Sequence, residues 1–314
     1  MTATLSCGHR CEILQTDLRY SCESGLTQVD QHTFSGWRQR CSIWNANKEG
    51  VEGFGQAEVY YCCCAGEHRG AISGLKGKSV MSAGNAATEE DQRASYLRDA
   101  QNKAICLFDE IERDLIRPGV SEQGLSDQIH ALAAERYGVT AHWHKRVIRS
   151  GPHTLMPYVE NPPDRIVEAD DILFVDLGPV FEAWEADFGR TFVLGGDPVK
   201  HRLRDALEPV FLAAKSHFQS NPDITGEAFY DIACELAKQA GWEFGGRIAG
   251  HLVGSFPHET IPNDRITLYI TRGNLDAMSR LNPLGQKRHW ILEIHLVDRA
   301  RQIGGFYEQL LTVD

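Results

Sequence analysis

Apolar and polar positions are distributed very differently in the two parts of this chain. Residues 1–88 hold neither a 3.6-residue nor a 2-residue hydrophobic period, and Gly, Ser, Gln and Asn recur throughout. Their end, SGLKGKSVMSAGNAATEEDQ, has the composition of a linker. An irregular, Cys-rich and poorly ordered segment is therefore expected over 1–88. From Thr88 the pattern changes. Ala94, Leu97, Ala104, Ile105, Leu107, Phe108, Ile111 and Leu115 recur at helical spacing, and Pro118-Gly119 stops the run. A second helix starts at Ser121, with Leu125, Ile129, Leu132 and Ala133 on one face and Gly138 past its end. Residues 141–160, rich in His, Trp and Pro, read as strand and loop.

The run Ile172-Leu173-Phe174-Val175 then gives a buried strand that ends on Asp176. Gly178-Pro179 mark a turn, and a partner strand runs from about Asp187 to Val193. Helices fit 198–219 and 226–240, the latter burying Phe229, Ile232, Ala233, Leu236 and Ala237. Strands are expected over 242–248, 265–271, 289–298 and 305–312. Helices combined with antiparallel strands in this order predict an α+β domain over 89–314, large enough for a substantial core.

Composition narrows the partners. The 314 residues carry a net charge of −11, so no basic surplus exists to neutralise phosphates, which argues against nucleic acid or an anionic membrane. No apolar run approaches the roughly 18–20 residues of a membrane span. The start, MTATLSCGHRCEILQ, lacks an apolar signal core, and a cytoplasmic location is the expectation. Seven of the nine cysteines fall in the first 64 residues. Without a secretory signal they are expected as thiols, and no paired C-x-x-C spacing supports a zinc site among them.

The chemistry lies in acids placed where apolar residues are the ordinary choice. Asp176 follows a buried strand, and an unpaired carboxylate there is costly. Asp187 comes eleven residues later. His251 stands in Gly250-His251-Leu252-Val253-Gly254, His258 in Phe256-Pro257-His258-Glu259, and Glu293 and Glu308 interrupt apolar strands. Taken singly, each has an ordinary explanation: a solvent-facing strand Glu, an ion pair, a hydrogen-bonded core His. Taken together, two Asp, two Glu and one His form an oxygen-rich donor set suited to two divalent ions of the manganese, cobalt, iron or zinc kind.

In this order and spacing, with Asp-Phe-Gly-Arg-Thr after Ala186, these residues resemble the pita-bread metallopeptidases. That family includes methionine aminopeptidase, aminopeptidase P, prolidase and the creatinase-like hydrolases. The resemblance spans roughly 90–314 and implies a pita-bread fold, a curved antiparallel sheet flanked by helices. It implies that Asp176 binds one ion, that His251 and Glu293 bind the other, and that Asp187 and Glu308 bridge them. Two ions so held activate a shared water and polarise the scissile carbonyl. Four carboxylates against two divalent cations leave the site near neutrality. Glu293 would also carry a proton to the leaving nitrogen, and His258 would stabilise the developing charge. A further substrate-contacting histidine lies shortly before the first Asp in the family. His153 is the candidate, with His142 and His144 as rivals.

The resemblance implies amide hydrolysis near the N-terminus of a small peptide, of the aminopeptidase or Xaa-Pro dipeptidase type, and leaves a homodimer open. Two departures qualify it. Prolidase-like members usually carry Arg where this chain has Phe306, which puts strict Xaa-Pro specificity in doubt. Residues 1–88 also look unlike the folded N-terminal domain of prolidase and aminopeptidase P. Hydrolysis of a non-peptide amide or modified amino acid is therefore one alternative. A non-catalytic binder on the same fold is another.

Overall fold

The computed structural model describes residues 2–4, 10–12, 40–43, 55–58, 83–156, 158–257 and 265–313. It divides into two units, Met1–Cys64 and Ala65–Asp314. In the first, β1 (Thr2–Thr4) pairs antiparallel with β2 (Arg10–Glu12), and β3 (Arg40–Ile43) with β4 (Gly55–Glu58). Most of the segment expected to be irregular lies outside the described residues.

The second unit opens with α1 (Ala83–Asp114), which begins upstream of the boundary drawn at Thr88. Alanines at 83, 86 and 87 favour helix without contributing an amphipathic period, so propensity extends the helix past the point where the pattern is visible. The next helix, α2 (Glu122–Tyr137), is limited by its caps. The Ser121 hydroxyl accepts from the Gly124 amide, and Gly138 closes the other end at φ 65°. Later, α3 (Pro198–Ser220) is capped by Asp197, with Pro198 in its first turn, and α4 (Gly226–Gln239) by Thr225. Among the described residues no helix is long and apolar enough to cross a membrane.

Strands β5 (Val147–Ser150), β6 (Ile172–Leu177), β9 (Phe188–Val193), β10 (Glu243–Phe244), β11 (Leu252–Val253), β12 (His289–Asp298) and β13 (Ile303–Leu310) form one antiparallel sheet. Its order is β10-β12-β13-β9-β6-β5, with β11 also paired to β12. Between β6 and β9 the chain makes a small hairpin of β7 (Val180–Phe181) and β8 (Trp184–Glu185), so the two acids are joined by more than a simple turn. The strand expected at 265–271 is instead a 3-10 turn, Ile266–Leu268. Its alternating Ile266, Leu268 and Ile270 find no long ladder partner among the described residues: the backbone pairs with the stretch from Ala249 to His251 through a His251–Tyr269 bridge and two amide bonds. The expected strand at 242–248 shortens to Glu243–Phe244.

Alternation along the strands separates two faces. Leu173, Val175 and Leu177 of β6 pack into a cluster with α1 and α2, which includes Leu107, Ile111, Leu125 and Ile129. Leu292, Ile294 and Leu296 of β12 pack with Leu207, Phe211 and Phe229 of α3 and α4. Helices therefore cover one face, and the alternate residues, Asp176, Glu293 and Glu308 among them, project from the other. Of the cysteines, Cys234 keeps its thiol, and those of the first 64 residues, expected as thiols, lie mostly outside the described residues.

Candidate metal centre

Strand register builds the site. Asp176 of β6 lies opposite Gly189 of β9, Glu308 of β13 lies opposite the same glycine, and Glu293 of β12 lies opposite Glu308. These residues form one transverse row across the sheet. Gly189 contributes no side chain to it, and that gap lets the carboxylates on either side converge. A Cβ at Gly189 would come within 3.2 Å of the Glu308 Cβ and 2.6 Å of the Phe306 ring. Asp187, just ahead of β9, and His251, just ahead of β11, enter from the ends of their strands. Asp187 and Glu308 are almost fully buried, and His251 is nearly so.

Asp187 is the hub. Its Oδ2 lies 2.9 Å from His251 Nε2, and its Oδ1 lies 3.1 Å from Nε2 of a second histidine, His144. His251 Nε2 also stands 3.7 Å from Glu293 and 3.9 Å from Glu308, and His144 Nε2 stands 3.5 Å from Asp176 Oδ1. The structure thus brings Asp176, Asp187, His251, Glu293 and Glu308 together and adds His144. The indole of Trp143 packs edge-on against both imidazoles, with ring centroids 4.4 Å from His144 and 5.1 Å from His251. Sequence reasoning had no role for Trp143. Its signal was the H-x-H pattern around it, which reads equally well as ordinary loop.

The electrostatics are those of crowded acids. Burial pushes Asp176 up to about 7, with Asp187 adding to the shift and His144 opposing it. Burial likewise pushes Glu293 up to about 8, and burial together with Asp187 and Asp176 raises Glu308 well above the ordinary range. Asp187 goes the other way. Burial opposes its ionisation, but His144 and His251 outweigh it and hold the carboxyl far below the usual value. Burial also opposes protonation of the two histidines, and the surrounding carboxylates overcome it, raising both to about 9. Asp176 Oδ1 and Glu308 Oε2 are buried without a hydrogen-bond partner. Carboxylates kept from ionising by burial and by one another, with acceptor oxygens unsatisfied, are what divalent cations would relieve, so the donor set fits such ions.

Arg190 is not a counter-ion to the row. It projects from the opposite face, sandwiched 3.7 Å from the Phe188 ring and 3.8 Å from the Tyr307 ring. There it donates to the carbonyls of Gly189 and Glu308 at 2.8 and 2.9 Å, locking β9 to β13 behind the acids.

The remaining candidates fall elsewhere. His258 lies outside the described residues. His153 sits in a 3-10 turn after β5, where its Nδ1 pairs with Glu122 at 2.9 Å; it is not among the groups around Asp187. Glu122 also accepts from the Ser150 amide and hydroxyl at 2.6 and 2.9 Å, tying the first turn of α2 to the end of β5. His142, beside His130, has a buried Nε2 without a hydrogen-bond partner, and burial pulls its pKa down to about 4. Two residues along from the acid row runs a second row on the same face: Arg149 opposite Phe174, and Phe306 opposite His295. Phe306 packs against Phe174 at 5.4 Å. The position where prolidase-like chains place Arg is here part of an apolar patch with Phe174 and Val147.

Comparison with known proteins gives a consistent result. Residues 95–278 match the sequence profile of metallopeptidase family M24. The Xaa-Pro dipeptidase of Lactobacillus helveticus is 27% identical over 152 residues, covering 46% of this chain and 39% of that protein. Among solved structures, the prolidase of Thermococcus sibiricus superposes with a TM-score of 0.55 at 18% identity, over 72% of this chain and 60% of that one. The X-Pro aminopeptidase of Thermotoga maritima gives a TM-score of 0.51 at 19% identity, over 72% and 62%. At these identities the structural likeness is one of fold, and it is the pita-bread fold. The chain spans well under half the length of the Lactobacillus relative it matches.

Proposed function

The chain belongs to metallopeptidase family M24, and from that premise we propose that it is a metal-dependent hydrolase cleaving an amide bond near the N-terminus of a small peptide. The observation that carries this reading is the convergence of Asp176, Asp187, His251, Glu293 and Glu308, residues far apart in sequence, on one buried spot. In the proposed arrangement Asp176 would hold one ion, His251 and Glu293 the other, and Asp187 and Glu308 would serve both. Ions in such a site would supply Lewis-acid activation of a water and of the scissile carbonyl. Manganese or cobalt are the proposed ions, with iron and zinc as competitors.

The protein's own groups do the rest. Glu293 lies at one end of the row, opposite Glu308, and would take the proton released from the attacking water and deliver it to the leaving nitrogen. His258 is proposed as the donor that steadies the charge developing on the carbonyl oxygen. The helix-covered back of the sheet and Arg190 fix the acids in place, so little reorganisation accompanies the reaction.

Chelator-treated protein should lose peptidase activity and regain it with Mn2+ or Co2+, on a panel of Xaa-Pro and ordinary dipeptides. Unchanged turnover in a folded Asp187→Ala variant would overturn the proposal. Phe306 favours a second reading, a non-peptide amide or modified amino acid as substrate, because an apolar ring replaces a cation beside the acids. Hydrolysis of acylated or cyclic amino acids with no turnover of any dipeptide would select it.

A further inference from the structure

We infer that His144 is itself a ligand of this centre, so that each of the two ions takes one histidine. The inference rests on the metallopeptidase reading and adds to it a donor from the segment before β5.

Three observations carry it. The first is placement: His144 Nε2 lies 3.1 Å from Asp187 Oδ1 and 3.5 Å from Asp176 Oδ1, and the three groups are close enough to share one ion. Asp187, His251 and Glu308 form a second such group. Asp187 therefore offers one oxygen toward each histidine, which is the geometry of a carboxylate bridging two ions.

The second is orientation. His251 Nδ1 donates to the carbonyl of the next residue, Leu252, at 2.8 Å. His144 does the same to the carbonyl of Lys145 at 2.6 Å. A carbonyl only accepts, so in both rings Nδ1 carries the hydrogen. Nε2 is then the nitrogen that each ring turns toward the carboxylates. A metal-ligating histidine is ordinarily held by such a bond from its other nitrogen. Lone pair facing carboxylate oxygen is repulsive unless a proton or a cation stands between them.

The third is rigidity. The segment carrying His144 is pinned to the turn after β6: the Trp143 amide donates to the Gly178 carbonyl at 2.9 Å, the Val180 amide to the Ala141 carbonyl at 3.0 Å, and the Trp143 indole to the Ala186 carbonyl at 3.2 Å. Gly178 supplies the room. A Cβ there would fall 2.3 Å from His144 Cδ2 and 2.4 Å from Trp143 Nε1. The imidazole is seated against the strand that bears Asp176 rather than resting on a loop.

A nitrogen donor on each ion shifts preference away from magnesium-like, all-oxygen sites toward cobalt, iron or zinc. The test uses the full chain loaded with Co2+ after chelation. In proton NMR each ligated imidazole with a protonated Nδ1 contributes one hyperfine-shifted signal that disappears in D2O. Wild type should show two, and His144→Gln and His251→Gln one each. Titration with Co2+ should give two bound ions in wild type, one of them weakened at least about 10-fold in His144→Gln. Gly178→Ala, which crowds the ring without removing it, should weaken the same ion.

Two ions bound with a single shifted signal in wild type, or two signals in His144→Gln, would overturn the inference and leave the metallopeptidase reading standing. Failure to bind any ion would overturn both. If neither histidine variant folds, the wild-type signal count decides alone.

Discussion

Gly250 sets where His251 sits, and the structure says what a single methyl group there would do. The backbone at Gly250 has φ +141°, and a Cβ would lie 2.0 Å from the Ile291 carbonyl oxygen and 2.9 Å from Ile270 Cδ1. The Ile291 carbonyl cannot withdraw, because the strand around it is held on both sides. The Gly250 carbonyl accepts from the Ile270 amide at 2.8 Å, the His251 carbonyl from Ile291 at 2.9 Å, and the Ala249 carbonyl from Glu293 at 3.0 Å. Gly250→Ala therefore adds an unfavourable φ, worth roughly 1–3 kcal/mol. Forced overlap with backbone adds about as much again, on the scale of overpacked cores. A loss of about 4 kcal/mol corresponds to a Tm drop of roughly 8–16 °C for a domain of this size.

Because His251 follows directly, the variant should also bind Co2+ more weakly. The assay is thermal denaturation followed by circular dichroism, with and without Co2+. Gly196→Ala is the control: nothing lies within 4 Å of a Cβ there, the residue is exposed, and its stability should stay within about 0.5 kcal/mol of wild type. If Gly250→Ala melts within about 2 °C of wild type and still takes up two ions, this reasoning about the His251 strand is wrong.

Three further outcomes can be checked by similar means. Glu122→Ala removes the acceptor for the Ser150 amide, the Ser150 hydroxyl and His153, and should lose about 2–4 kcal/mol in urea unfolding, while Glu122→Gln loses less; equal losses would contradict the charge-assisted role. Phe211→Ala empties a fully buried site between α3 and the sheet and should lose about 3–5 kcal/mol with unchanged metal stoichiometry. Burial holds His289 below its ordinary pKa of 6.5, with Glu90 opposing and Arg93 and Lys287 adding to the shift. A depressed histidine contributes stability above its unfolded pKa, and that contribution is lost as pH falls through the folded value. Melting temperature should therefore fall more steeply between pH 7 and about pH 5 in wild type than in His289→Asn, and parallel curves would exclude His289 as the cause.

The helices were readable because their signals are local. Ser121 and Gly138 bound α2, and the apolar spacing of Leu125, Ile129 and Ala133 names its buried face. Strands whose pairing is long, Ile172–Leu177 and His289–Asp298, were readable from apolar runs. The 265–271 segment was not, because an alternating pattern states which residues want burial and not whether a neighbouring strand is there to pair with. The acids were visible as interruptions of apolar strands, since each sits where the pattern calls for an apolar residue. What made them legible as a set was order and motif context; their register, with Gly189 between Asp176 and Glu308, needed the fold. His144 was weighed beside His142 and His153 without a means of choosing. Only the pairing of 141–143 with the turn after β6 brings its ring to Asp187, and that pairing is between residues far apart in sequence.

Glu293 and Glu308 face each other directly across β12 and β13, Glu308 wholly buried. Ionised, the two would repel across the ladder, and burial holds both above the usual carboxylate range, so either state weakens the rung. The scaffold would be a better-behaved sheet with leucines at both places. The longest ladder in the domain is thus frustrated at one rung, and on the proposed reading its full cooperativity would depend on a solute from outside the polypeptide. Selection for heat resistance alone, in a chelating medium, would be expected to erode this rung first.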